Sequence, residues 1–194
     1  MFDIYQILGF LSGIIVPIGY IPYIKDILDQ KTKPQRISWL IWLVLGGIAF
    51  FSQLAEGANN SLWLPAIQTL AVLIVFILSI KNGMGGFSGK DKISLSLALL
   101  GLIVWALTKE PLFALIITVF VDSLGSVLSV IKSYEEPESE TLITWVLDGL
   151  AGLLAILAVG KIDVVLLIYP TYIFLANLAV IIAILMGKRR LAKL

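Results

Sequence analysis

The sequence predicts an all-α integral membrane protein with seven transmembrane helices in a 3+1+3 arrangement. Composition is the first reason: of 194 residues, 59% are apolar and 14% charged, and the mean hydropathy is +1.02. A soluble domain averages about half apolar and a quarter charged. The second reason is continuity, because the apolar residues fall in long unbroken runs and not in the alternating short strands of a transmembrane barrel. Charge placement is the third, since Lys and Arg gather in alternate connections between the runs.

At about 20 residues per crossing, the chain has room for seven spans and no separate soluble domain. Span 1 is read at 5–24. The stretch before it has neither a basic segment nor a small-residue cleavage site, so it reads as a retained helix and not a signal peptide. The polar segment 25–36 leads to span 2 at 37–55, and Glu56–Asn60 leads to span 3 at 62–80. A Gly- and Lys-rich connection at 81–92 precedes span 4, the shortest, at 93–107. Pro111, suited to a first helical turn, opens span 5 at 111–131. Residues 132–140 contain four glutamates and read as a solvated charge run before span 6 at 141–159. Gly160–Asp163 joins span 6 to span 7 at 162–186, which ends in a basic tail. The expected organisation is a first triple-helix bundle at 1–82, a linker carrying span 4 at 83–110, and a second bundle with its tail at 111–194.

Alternating sides places Lys25, Lys31, Lys33, Arg36, Lys81, Lys90, Lys92, Lys132, Lys188, Arg189, Arg190 and Lys193 together, against Lys109 and Lys161 opposite. Twelve against two predicts the N-terminus outside and the C-terminus in the cytoplasm, in a cytoplasmic (inner) membrane.

Cysteine and histidine are absent, which removes thiolate nucleophiles, histidine metal ligands and Ser-His or Cys-His dyads. No cofactor, metal site or catalytic residue is expected. A net charge of +1 offers no basic surface for nucleic acid. The expected partners are membrane lipid, protons and a small-molecule substrate. Two triplets in one chain could form a complete unit, and assembly into a homo-oligomer is left open.

The triplets look repeated. Ile24-Lys25 corresponds to Ile131-Lys132 at an offset of 107, Ile37-Ser38-Trp39-Leu40 to Ile143-Thr144-Trp145-Val146 at 106, and Pro65 to Pro170 at 105. An odd helix between two triplets gives both the same orientation, so this is a parallel repeat.

Two carboxylates stand inside spans, Asp122 in span 5 and Asp148 in span 6, and no Lys or Arg shares a span core with them. Inserting each costs roughly 2.5–3.5 kcal/mol on insertion scales, which points to working residues; the alternative is a protonated Asp that merely bonds to a neighbouring helix, with Thr118, Ser123 and Ser126 as nearby donors in span 5. Low-dielectric burial disfavours the charged form of a carboxylate, so either could hold a proton; a cation-binding role follows from the same residues. Gln68 and Asn177 share helix faces with Pro65 and Pro170, so each suits either ligand contact or helix–helix bonding. Trp42, opposite Asp148 in the repeat, could give one cavity an aromatic side, and Tyr20 and Tyr172 could line its path. Trp39, Trp63, Trp105 and Trp145 lie near span ends and read as an interfacial belt.

The segment GYIPYIKDILDQKTKPQRISWLIW, in this 3+1+3 setting, resembles the PQ-loop/SWEET superfamily of transporters along essentially the whole chain. The family's Pro-Gln pair falls at Pro22-Tyr23 and at Ser129-Val130, while the literal Pro34-Gln35 is in a loop. Asp148-Gly149 with Gly152 is similar to the Leu-Asp-x-x-Gly-Gly stretch of lysosomal PQ-loop transporters related to cystinosin. That likeness implies proton coupling at Asp148, with Asp122 as a second carboxylate. The resemblance also implies alternating access to a sugar, amino acid or other small polar metabolite, with Pro17, Pro22, Pro65 and Pro170 as hinges. Other classes fit seven helices: a receptor, a scaffold, or an intramembrane aspartyl enzyme. A retinal pigment does not, because span 7 has no lysine.

Overall fold

Every long element among the described residues is a helix. The structure, a computed structural model, describes residues 3–30, 34, 36–83, 110–135, 137–139 and 142–192, with eight further positions between 89 and 107. The helices are α1 (Ile4–Leu28), α2 (Arg36–Ala55), α3 (Trp63–Asn82), α5 (Pro111–Glu135), α6 (Leu142–Ala158) and α7 (Val164–Leu191). The eight positions within 89–107 are all helical and are referred to as α4. Most of span 4, Trp105 included, lies outside the described residues.

α1 packs on α3 and α6, α3 on α2, α2 on α5, α5 on α7, and α7 on α6, so these six helices close a ring. Small residues allow the closest approaches. Gly9, Ser12, Gly13, Val16 and Gly19 form one buried stripe along α1. A Cβ on Gly9 would fall on the Asn60 carbonyl oxygen, and one on Gly13 would lie 3.1 Å from Trp63 Cβ. On α6, Gly149, Gly152 and Ala155 play the same part against α7 and the core. Helices in lipid associate through such close packing, since no water is excluded between them.

Large apolar side chains cover the outside: Ile21, Leu70, Phe120 and Leu175 are each more than half exposed. Three helical stretches, Ile4–Leu28, Asn60–Asn82 and Val164–Leu191, are long and apolar enough to cross a membrane, and Trp39–Ala55, Leu112–Ser123 and Leu142–Ala158 are shorter apolar stretches. Both features are consistent with membrane insertion.

At the end of the ring that carries the α1–α2 and α5–α6 connections, arginines complete helix termini. Arg36 donates from Nε to Ser79 O (3.2 Å), which also accepts from Gly83 N–H (2.8 Å), and from a terminal nitrogen to Ile80 O (3.1 Å) in the last turn of α3. Arg190 donates to Glu135 O (2.9 Å) at the end of α5 and lies 4.7 Å over the Tyr134 ring. Glu135 and Glu138, the described glutamates of the charge run, are exposed, as a solvated run predicts. Pro137–Ser139 forms a helical turn against α5 and α7, and Lys188 Nζ lies 3.7 Å from Glu138. The cause is that α7 continues to Leu191, past the predicted end at 186, and carries its basic turn onto this loop.

Pro17 and Pro22 are interior to α1, and Pro170 is interior to α7. Pro65 falls instead in the first turn of α3, which starts at Trp63. A proline there removes no internal hydrogen bond of the helix, so the hinge expected at Pro65 loses its physical basis.

Candidate functional site

The ring encloses a cavity of about 600 Å³. Its walls come from the C-terminal half of α1 (Tyr20, Pro22, Tyr23, Asp26), the N-terminal halves of α2 (Trp39, Trp42) and α6 (Thr144, Trp145, Asp148), and α5 from its middle onward (Asp122, Ser126, Ser129). α3 and α7 contribute from near their middles, through Gln68, Thr69, Tyr169, Tyr172 and Asn177 among others. The cavity thus reaches from mid-ring toward the end carrying the α1–α2 and α5–α6 connections. The opposite half is filled by a core that includes Val16, Ala49, Leu64, Leu115, Ala151 and Ala155.

Seven residues singled out from sequence, Asp122, Asp148, Trp42, Gln68, Asn177, Tyr20 and Tyr172, all line this one cavity, together with Pro22. Pro17, Pro65 and Pro170 are not among the lining residues. Each carboxylate has its own set of donors. Gln68 Nε2 donates to Asp148 Oδ2 (3.2 Å), and Asn177 Nδ2 donates to the same oxygen (3.4 Å). Behind them, Tyr169 donates its hydroxyl proton to Gln68 Oε1 (3.2 Å), and Tyr20 is a further hydrogen-bond partner of the Gln68 side chain. Asn177 Nδ2 also reaches Ile173 O (2.8 Å), and Oδ1 is buried with no protein partner among the described residues. The orientation of that amide is fixed by chemistry, because turning it over would aim an oxygen at two acceptors.

Asp122 is held by the side chains of Tyr172 and Trp42. Tyr172 OH is also 2.8 Å from Ser126 Oγ. With the tyrosine proton directed at the carboxylate, Ser126 is the donor in that pair. Ser123 and Thr118, the neighbours that composition alone suggests for Asp122, do not fill this role. Ser123 bonds to Val119 O at 2.6 Å in its own helix, and Thr118 Oγ1 is buried with no protein partner among the described residues. Asp122 and Asp148 are close enough to interact electrostatically.

Two tryptophans depart from the interfacial reading. Trp39 is 8% exposed and sits in an aromatic cluster with Tyr20 (6.3 Å between centroids), Tyr23 (5.3 Å) and Trp42 (5.0 Å). Trp145 also lines the cavity. Proximity to a span end suggested lipid, but the cavity extends to that end, so an inward-facing aromatic there meets the cavity. The i, i+3 spacing of Trp39 and Trp42 was the available signal, since it places both on one helix face. Trp63 is edge-on to Phe10 at 5.5 Å and 43% exposed, and does not line the cavity.

Seven aromatic and three acidic side chains line the cavity, and no Lys or Arg does so among the described residues. Such a site can hold protons or cations on its carboxylates and a flat or cationic group on its rings. Neither a family model, nor a curated protein, nor a solved structure matches the chain.

Proposed function

We propose that the protein is a small-solute membrane transporter working by alternating access, coupled to protons through Asp148 and secondarily Asp122. The observation that carries this reading is the central cavity itself. It has the volume of a small-molecule site, it is one-sided, and it holds Asp122 and Asp148 with no Lys or Arg among the described lining residues. A packed core closing the other half is what one of the two states of a carrier requires.

The helix pairing agrees with the repeat read from sequence. Exchanging α1, α2 and α3 with α5, α6 and α7 turns the α1–α6 contact into α5–α2, and α1–α3 into α5–α7, which are also contacts in the ring. Two such triplets could rock against each other around a fixed site. By the placement of Lys and Arg, the cavity of this state faces the cytoplasm. Asp148, bonded to one residue of α3 and one of α7, links both triplets, so the state of its proton bears on how they fit together.

The test is uptake into proteoliposomes under an imposed proton gradient, with an entrapped pH-sensitive dye and a panel of sugars, amino acids and amines. The expected result is uptake of at least one solute together with protons, lost in Asp148→Asn at equal reconstitution. Full gradient-driven uptake by that variant overturns the coupling role. No movement of any solute, in either direction, overturns the carrier.

A further inference from the structure

The amide donors of the cavity are already committed. The Gln68 amide is spent on Asp148, Tyr20 and Tyr169, and both Asn177 N–H groups are spent on Asp148 and Ile173 O. The Trp42 and Tyr172 donors are turned toward Asp122. Acceptors left over include the remaining carboxylate lone pairs and Asn177 Oδ1, which is buried with no protein partner among the described residues, while the hydroxyls of Thr69 and Thr118, also unpartnered there, can accept or donate. A buried acceptor without a donor carries a desolvation cost, which a ligand rich in N–H groups removes. Around these acceptors, Tyr20, Tyr23, Trp39 and Trp42 present an aromatic wall from α1 and α2, which suits a cation or a flat apolar body.

We infer that the occupant of this cavity is a small organic cation, a primary ammonium or guanidinium on an apolar body, that bears no carboxylate of its own. Its charged end bonds to Asp148, and its body lies against the Trp39–Trp42 wall. A sugar would bring hydroxyl donors but leave the carboxylates without a counter-charge. A free amino acid would set its carboxylate among Asp26, Asp122 and Asp148, with no Lys or Arg in the described lining to receive it. The inference rests on the carrier reading for the movement of the ligand, but not for its binding.

Three compounds of nearly one shape separate the classes: tyramine (cation), tyrosol (neutral) and tyrosine (zwitterion). Calorimetry on the purified full chain in detergent is expected to give tyramine a Kd at least about tenfold below the other two. Asp148→Asn is expected to weaken tyramine about 30-fold, as befits a lost charge-assisted hydrogen bond. Tyrosol or tyrosine binding as tightly as tyramine overturns the inference, as does unchanged tyramine affinity in Asp148→Asn, whose folding is checked by its melting temperature. Counterflow of labelled tyramine in proteoliposomes separates the two readings. Selective binding without any flux leaves the inference standing and overturns the carrier. A sugar carried while tyramine fails to bind overturns the inference and leaves the carrier standing.

Discussion

Gly152→Ala tests whether close packing of α6 on α7 is what positions Asp148. A Cβ built on Gly152 lies 2.8 Å from the Phe174 backbone nitrogen and 3.2 Å from both Phe174 Cα and Ile173 Cγ2. Ordinary contact starts at 3.4 Å, so α6 and α7 must part by about 0.6 Å, and backbone atoms cannot swing aside as a side chain would. Overpacking of this kind costs about 1–3 kcal/mol, partly offset by the roughly 0.5–1 kcal/mol that Gly→Ala returns in a helix interior. At the middle of both ranges the net loss is about 1.25 kcal/mol, which for a chain of this length lowers the melting temperature by about 2.5–5 °C. Gly152 is one turn from Asp148, whose bond from Asn177 on α7 is already 3.4 Å long, so the same separation breaks that contact. Gly47, where an added Cβ would have nothing within 4 Å, is the control; Gly47→Ala is expected to raise the melting temperature by a few degrees. Thermal unfolding in detergent, followed by tryptophan fluorescence, reads both variants. If Gly152→Ala melts with or above the parent, the close approach is not what holds α6 on α7, and the positioning of Asp148 has another origin.

The remaining predictions concern the ends of the molecule. Asp163 caps α7, accepting from Leu166 N–H at 3.2 Å, and lies 2.9 Å from Lys161 Nζ; the lysine first, then the backbone N–H, hold its carboxyl below the usual carboxylate range. A lowered native value adds stability above the ordinary range that is lost as pH falls through the native value, so Asp163→Asn melts below the parent at neutral pH and the gap closes in acid. A gap independent of pH would remove the charge from this account. Because the chain has no cysteine, single cysteines report sidedness cleanly. In cells, Glu138→Cys is expected to resist an impermeant maleimide and Asn59→Cys to react, and the reverse pattern overturns the assigned orientation.

Much of the site was legible because polar groups in an apolar chain are conspicuous. Asp122 and Asp148 stand out against their spans, and the amides Gln68 and Asn177 stand out on helices whose other face is apolar. Their partnership was not legible. Trp42 is the repeat counterpart of Asp148, yet its side chain bonds to Asp122, and Gln68 reaches across from α3 to α6. Serines near Asp122 in sequence suggested local donors, whereas the real ones, Tyr172 and Trp42, come from other helices. Periodicity places a side chain on a face, but only helix packing decides which neighbouring helix that face meets.

The sequence by itself determined the all-helical class, through the length and continuity of its apolar runs, and singled out the residues that insertion energetics makes expensive. Lys and Arg placement supplied the expected orientation for the same reason, since each is a one-dimensional property of the chain. Tertiary structure decided the rest. It closed six helices into a ring by letting backbones touch at Gly9, Gly13 and Gly152, brought Trp39 and Trp145 from the expected belt into the cavity, and moved Pro65 into a first turn. Above all it directed side-chain donors from α2, α3 and α7 onto Asp148 and Asp122. That arrangement depends on side chains more than a hundred residues apart, as Tyr169 and Gln68 are, and no local pattern encodes it.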